Sequence, residues 1–195
     1  MTAADLNKLL DEALEAEASV LVIVPTGAEQ ASAISVELPR CTLDNALDET
    51  NADLAVRTPL GELSMPNLTL ARILSGAGGQ DLTVNMARRT ISQAEALLNG
   101  RADVTEEQMS GASVVEVSLT SGNKSITSFG GRSITLLLPV IAGAFQAGQA
   151  CTVYQISGGG AVEKLAGVCL SRNGGLWVKV STTQFGAPLL QYRRN

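Results

Sequence analysis

The chain contains no histidine. Ser-His-Asp and Cys-His catalysis are thereby excluded, and both the commonest zinc ligand and the usual proton carrier near neutral pH are missing. Aromatic residues are nearly as scarce, with one Trp, two Tyr and three Phe making up 3% of the sequence. A core must therefore be filled by Leu, Val, Ile and Ala, and stacking platforms for sugars or bases are few. The three cysteines, Cys41, Cys151 and Cys169, have no CxxC spacing and cannot all pair, which argues against a zinc site or a disulfide scaffold. They read as buried small hydrophobes, with Cys151 and Cys169 placed to face each other across strands. No apolar run reaches the length of about 18 residues that a membrane span needs. Met1 to Leu14 alternates acids with Leu and Ala and lacks the basic start and apolar run of a signal peptide.

Charge narrows the partners further. With 14 basic against 19 acidic residues the net charge is -5, which repels phosphate backbones and anionic lipid. Neither nucleic acid nor membrane insertion is expected. The average conceals a division: residues 1–110 carry seven Lys and Arg against seventeen Asp and Glu, whereas residues 111–195 carry seven against two. Opposite signs could hold two parts together or join copies head to tail; two independent domains are the default reading. At 195 residues the chain has room for one large domain or two small ones.

Along the chain, Thr2 and Asp5 resemble a capping box, and Leu6, Leu9, Leu10, Ala13 and Leu14 recur at helical spacing. Val20 to Val24 reads as a short buried strand closed by Pro25, Thr26 and Gly27. A repeat then organises the first half. Ile34 to Pro39 alternates as a strand, Thr42 to Leu47 reads as a helix, and Asp53 to Thr58 as a strand. After the turn Thr58-Pro-Leu-Gly61, Glu62 to Pro66 is again a strand, Thr69 to Leu74 a helix capped by Thr69, and Asp81 to Met86 a strand. Pro39 and Pro66 lie 27 apart and Leu54 and Leu82 lie 28 apart. Two copies are too few for a solenoid and imply a duplicated strand-helix-strand element closing one small domain.

Ile91 to Leu98 reads as a helix ending at Asn99-Gly100, and Thr105-Glu-Glu-Gln108 as a capping box. From Val114 onward the habit is that of strands: Val114 to Leu119, Ile134 to Leu138, Cys151 to Ile156, Val162 to Leu170 and Leu176 to Val180. The glycine turns Ser157 to Gly160 and Asn173-Gly174-Gly175 separate some of them. The expected fold class is α+β: an α+β domain with internal duplication over 1–103, a linker at 104–112, and an antiparallel β-sandwich over 113–195.

Few constellations could carry chemistry. Asp44, Asp48, Glu49 and Asp53 are a candidate carboxylate group, but a glycosidase needs two such groups across a cleft with aromatic walls, and the bland reading is a solvated helix end. Gly76-Ala-Gly-Gly79 lacks the lysine of a phosphate loop and reads as a helix-ending turn. Lys124, Arg132, Lys164, Arg172 and Lys179, with Arg193 and Arg194, make the second half basic. They are a candidate contact face for anionic wall polymers, or only the solvated side of a sandwich. Trp177 alternates with apolar neighbours, which suggests burial, although an exposed Trp would anchor a ligand. No cofactor or metal is expected.

The segments Val115 to Leu119, Ile126-Thr-Ser-Phe-Gly-Gly131 and Ile134 to Pro139 carry a resemblance that continues through Cys151 to Tyr154, Val162 to Leu165 and Leu176 to Leu190. Together with the strand-Pro-helix repeat and the Val104 to Gln108 linker, they resemble a module recurrent in large surface proteins of Clostridia and related Gram-positive bacteria, over residues 34 to 190. Such proteins often also carry S-layer homology or bacterial immunoglobulin-like repeats. The resemblance implies an extracellular or cell-surface location as part of a longer exported protein. Its partners would be the other domains of that protein, or cell-wall or host glycans or proteins. Such modules commonly close with Thr-His-Phe-Ser, similar to the cleavage site of autoproteolytic sandwich domains; here the matching residues are Thr183, Gln184, Phe185 and Gly186. Gln184 cannot act as a base and Gly186 has no hydroxyl to attack the preceding carbonyl, so this chain is expected to stay whole.

Three functional readings follow. The first is a non-catalytic structural, adhesion or spacer module. The second is a carbohydrate-binding module of a secreted enzyme, which requires an exposed Trp177 or Tyr154. The third is a hydrolase, which requires the Asp44 to Asp53 carboxylates to converge in a pocket.

Overall fold

The structure, a computed structural model, describes residues 3–16, 18–27, 30–90, 92–93, 114–140, 145–156, 161–172, 174–185 and 189–194. The chain runs α1 (Ala3–Glu15), β1 (Val20–Ile23), β2 (Ala33–Leu38), α2 (Arg40–Glu49), β3 (Asp53–Thr58), β4 (Gly61–Met65), α3 (Asn67–Gly76) and β5 (Leu82–Arg89). It continues with β6 (Val114–Ser121), β7 (Lys124–Ser125), β8 (Ile134–Pro139), β9 (Ala150–Ile156), β10 (Val162–Arg172), β11 (Gly175–Thr182) and β12 (Leu189–Arg194). The fold is mixed α+β and mostly strand. The helix expected over 91–98 falls almost wholly outside the described residues, as do the capping box at 105–108 and the turn at 157–160.

Local pattern accounts for the elements. In β2 the side chains alternate without a break, with Ile34, Val36 and Leu38 buried and Ala33, Ser35 and Glu37 exposed. Pro39 and Pro66 are both extended, at φ -59°, ψ 130° and φ -54°, ψ 144°, and each helix begins at the next residue. Hence α2 starts at Arg40 rather than Thr42, and α3 at Asn67 rather than Thr69. A proline has no side-chain oxygen to cap with, so the caps come from elsewhere. The Arg40 N–H donates to Asp81 Oδ1 at 2.7 Å and the Asn67 N–H to Asp53 Oδ1 at 2.9 Å. Thr69, inside the first turn of α3, donates its hydroxyl to the Ser133 carbonyl at 3.1 Å.

All described strands belong to one hydrogen-bonded path, β1-β3-β4-β8-β11-β10-β9-β12-β6-β5-β2, with β7 attached to β6. β1 and β3 are parallel, and the other ladders are antiparallel. First-half strands occupy both ends of this path. β4 pairs with β8 from Glu62↔Leu137 to Ser64↔Thr135, and β5 pairs with β6 from Leu82↔Ser121 to Arg89↔Val114. The expected boundary at 104–112 therefore does not separate two sheets.

The two strand-Pro-helix-strand runs are present in order, but neither run's strands pair with each other. β2 pairs with β5, and β3 with β4. Alone they would leave two short ribbons with bare edges, which is a poor closure. Strands of the second half cover two of those edges, β8 beside β4 and β6 beside β5, while β1 covers β3 and β2 ends the path. One buried cluster follows, drawing Leu38, Leu63 and Leu82 from the first half and Val117, Leu136 and Val178 from the second. The expected buried strand at Val20 to Val24 is β1, an end strand that buries Leu21 and Ile23 while Val20 is 41% exposed and Val24, just past it, 50%. Among the described residues no helix is long and apolar enough to cross a membrane.

Candidate functional site

The motif residues of the second half converge on one point. Phe129, in the loop between β7 and β8, is fully buried, and its ring meets that of Phe185 edge to face at 5.2 Å and 88°. The Phe185 N–H donates to the Thr127 carbonyl at 2.9 Å, and Ser128 and Gln184 form an isolated antiparallel bridge. Gly130 and Gly131 follow Phe129 at φ 64° and 79°, a conformation that L side chains rarely adopt, so the two glycines release the loop after its anchor.

Gln184 is held by its backbone. The Gln184 carbonyl accepts a hydrogen bond from the amide of Gln155, a buried polar residue 3% exposed. The Thr182 hydroxyl lies 2.8 Å from both that carbonyl and Gln155 Oε1, and its single hydrogen serves one of them at a time. The exposed Gln184 side chain reaches Glu163 at 3.4 Å. Gly186 lies outside the described residues.

By strand alternation Lys164, Arg172 and Lys179 share one face of β10 and β11, whereas Lys124 and Arg132 lie on other segments. Lys164 and Lys179 are exposed on β10 and β11, on the side opposite the buried Cys169 and Val178, and Lys164 Nζ stands 5.9 Å from the Tyr154 ring centroid. Lys124 is exposed on β7, and Arg132 is exposed at a polar cleft of about 720 Å³ that Asp53 and Asn67 also line. Arg172 is half-buried and engaged. Its Nη1 donates to both Glu62 oxygens at 3.0 and 3.1 Å, and Arg57 Nε donates to the same carboxylate. The side chains of Arg193 and Arg194 are not among those described.

Burial pushes the Glu62 carboxyl up, but the hydrogen bonds and charges of Arg57 and Arg172 outweigh it and hold the group below its ordinary value. Arg57 could have been found from the sequence, because Arg57 and Glu62 face each other across the Pro59-Leu60 turn. Arg172 could not, at a separation of 110 residues. Glu62–Arg172 joins the acidic half to the basic half, while Arg89–Glu116 joins them with the signs reversed. The charge division is therefore not a general clamp among the described ion pairs.

The carboxylate group does not converge. Asp44 pairs with Arg40 Nε at 2.8 Å one helical turn away, Asp53 caps α3, and Asp48 and Glu49 are exposed at the end of α2. Among the described residues no group of three His, Cys, Asp or Glu could hold a metal ion. Tyr154 is 5% exposed, while Trp177 is half-buried on the outer face of β11.

Cys151 and Cys169 are buried neighbours on β9 and β10. Burial, and secondarily the other thiol, pushes Cys151 up to about 12; burial likewise raises Cys169. Gly167 faces Cys151 across the ladder, where a Cβ would stand 2.9 Å from its sulfur, so a larger residue there would have to displace its neighbours. Cys41, expected to be buried with them, is exposed.

An apolar cleft of about 280 Å³ lies between α1, α2 and the β1–β3 end of the sheet, lined in part by Leu9, Leu10, Leu43 and Leu54. Comparison with protein-family models, curated proteins and solved structures returns no match.

Proposed function

We propose that the chain is a non-catalytic structural, adhesion or spacer module of a larger bacterial cell-surface protein, with its second half working as a β-sandwich. The observation that carries this reading is the Phe129–Phe185 contact. It makes the residues that resemble the surface-protein module into an internal fastening of the two loops. The exchanged caps Asp53 and Asp81 support a duplicated strand-helix-strand origin for the first half, since they occupy matching places in its two runs. The employment of Asp44 and Asp53 in an ion pair and a helix cap speaks against the hydrolase reading.

Its partners in this reading are the other domains of that protein, or wall or host glycans or proteins, outside the cell. Saturable binding of the purified chain to wall or matrix material, with no product formed and an unchanged intact mass on long incubation, is the expected result. Turnover of any substrate that Asp44→Asn or Asp53→Asn abolishes would overturn the reading, and scission beside Phe185 would overturn the part that concerns the altered cleavage motif.

Trp177 keeps the carbohydrate-binding alternative in view, because its ring is only half-buried; the burial of Tyr154 removes that reading's second ring. A glycan array probed with the wild type and Trp177→Ala separates the two.

A further inference from the structure

The last turn of α3 and the segment running from β7 into the Phe129 loop enclose a cleft of about 330 Å³. Its two charged residues are both cations, Arg72 from the first half and Lys124 from the second. Neither has an ion pair within the described residues. Four hydroxyls, from Ser75, Ser125, Thr127 and Ser128, line it beside them, and no Asp or Glu does.

Some carbonyls around the end of α3 have donors of their own: Leu74 O takes Arg40 Nη1 at 2.8 Å, Arg72 O takes the Ser75 hydroxyl at 2.8 Å, and Ala77 O takes the Ser121 hydroxyl at 3.0 Å, which blunts the negative end of the helix beside the cleft. The exposed Arg72 side chain also lies against the loop. It lies across Gly130 so closely that a Cβ there would stand 2.6 Å from its Nε and 3.1 Å from its Cγ. A side chain already laid against the loop loses less freedom when it meets a ligand.

We propose that this cleft binds a phosphate or sulfate ester carried on a hydroxyl-rich polymer. The planar guanidinium of Arg72 forks onto two ester oxygens, and Lys124 supplies a second positive charge. Ser128 already accepts the Gly130 N–H at 3.4 Å and keeps its own hydrogen to donate to the ligand; Ser75, which donates internally, keeps its lone pairs. With a net charge of -5 the chain as a whole repels a polyanion, so capture has to rest on a local, carboxylate-free site of this kind. The proposal deepens the adhesion reading by giving it a ligand class.

The test measures binding of the intact chain to a poly(glycerol phosphate) and to a sulfated glycan at about 150 mM salt, where contacts beyond a Debye length are screened. Whichever polymer binds identifies the ester. Arg72→Gln and Lys124→Gln are each expected to weaken binding about tenfold, with melting temperature unchanged and Lys8→Gln binding as wild type. Wild-type binding by a folded Arg72→Gln/Lys124→Gln double variant, or no binding of either polymer by the wild type, would overturn the proposal. The adhesion reading survives that result if neutral glycans or proteins still bind, and falls with it only if nothing does.

Discussion

Asp53 and Asp81 cap each other's helices. Asp53 opens the last strand of the first strand-helix-strand run and accepts the first N–H of α3 in the second run, while Asp81, 28 residues on, accepts the first N–H of α2 in the first. Each run thus supplies what the other's proline cannot.

Removing either cap is expected to cost about 1 kcal/mol. The loss from Asp53→Ala should be the larger, because Asp53 is half-buried and Asp81 exposed. Denaturant unfolding should show lower midpoints at unchanged slope; two variants as stable as wild type would mean that the exchanged caps carry no energy.

Glu62 ties β4 to Arg172 on β10, and Glu62→Gln leaves two guanidiniums around a neutral amide. The expected cost at neutral pH is about 2–3 kcal/mol, moderated because both arginines are about a third exposed. The folded carboxyl is held below its ordinary value of 4.5, so its contribution is complete above that value and is lost as pH falls through the lowered one. Acid titration of stability should therefore show the gap between wild type and variant closing as pH falls below 4.5 and through the lowered folded value. A gap that stays constant down to acid unfolding would contradict the ion pairing.

Phe129→Ala and Phe185→Ala should each destabilise by about 3–5 kcal/mol. Because the rings meet edge to face, a double-mutant cycle on milder Phe→Leu changes should return a coupling of about 1 kcal/mol. Additive losses would show that the rings are buried independently and that the two motifs are not fastened to each other.

Thiol labelling should distinguish the three cysteines sharply. In native buffer near pH 8 Cys41 alone should react, because Cys151 and Cys169 are buried and their thiolates disfavoured; denaturation should expose all three. Rapid native labelling of Cys151, read by peptide mass, would contradict the packing around Gly167.

A second test of that packing uses Gly167→Ala, whose added Cβ would meet Cys151 Sγ at 2.9 Å and Val153 Cγ2 and Val178 Cγ1 at 3.0 Å. It should cost about 1–3 kcal/mol. Cys151→Ala in the same chain should recover part of that loss, and no recovery would place the strain on the two valines alone.

Much of the secondary structure was legible in the sequence, because its causes are local. Alternation along Ile34, Val36 and Leu38, the prolines at 39 and 66, and the glycines that punctuate the second half set where strands and helices lie, to within a few residues. The lack of histidine settled which catalytic chemistries were closed. Tertiary structure alone decided which strand adjoins which, and with it the use of Arg172 and Asp53, whereas the Arg40–Asp44 pair is local to its helix. Arg172 left the basic group because a ladder of first-half and second-half strands brought Glu62 to it, and Asp53 left the carboxylate group because α3 begins beside it. Arg72, unremarkable in its own helix, became half of a cationic cleft once the Phe129 loop folded over it. Periodicity reports which face of an element is apolar; only the closing of edges across distant segments determines what that face, and the charges beside it, will meet.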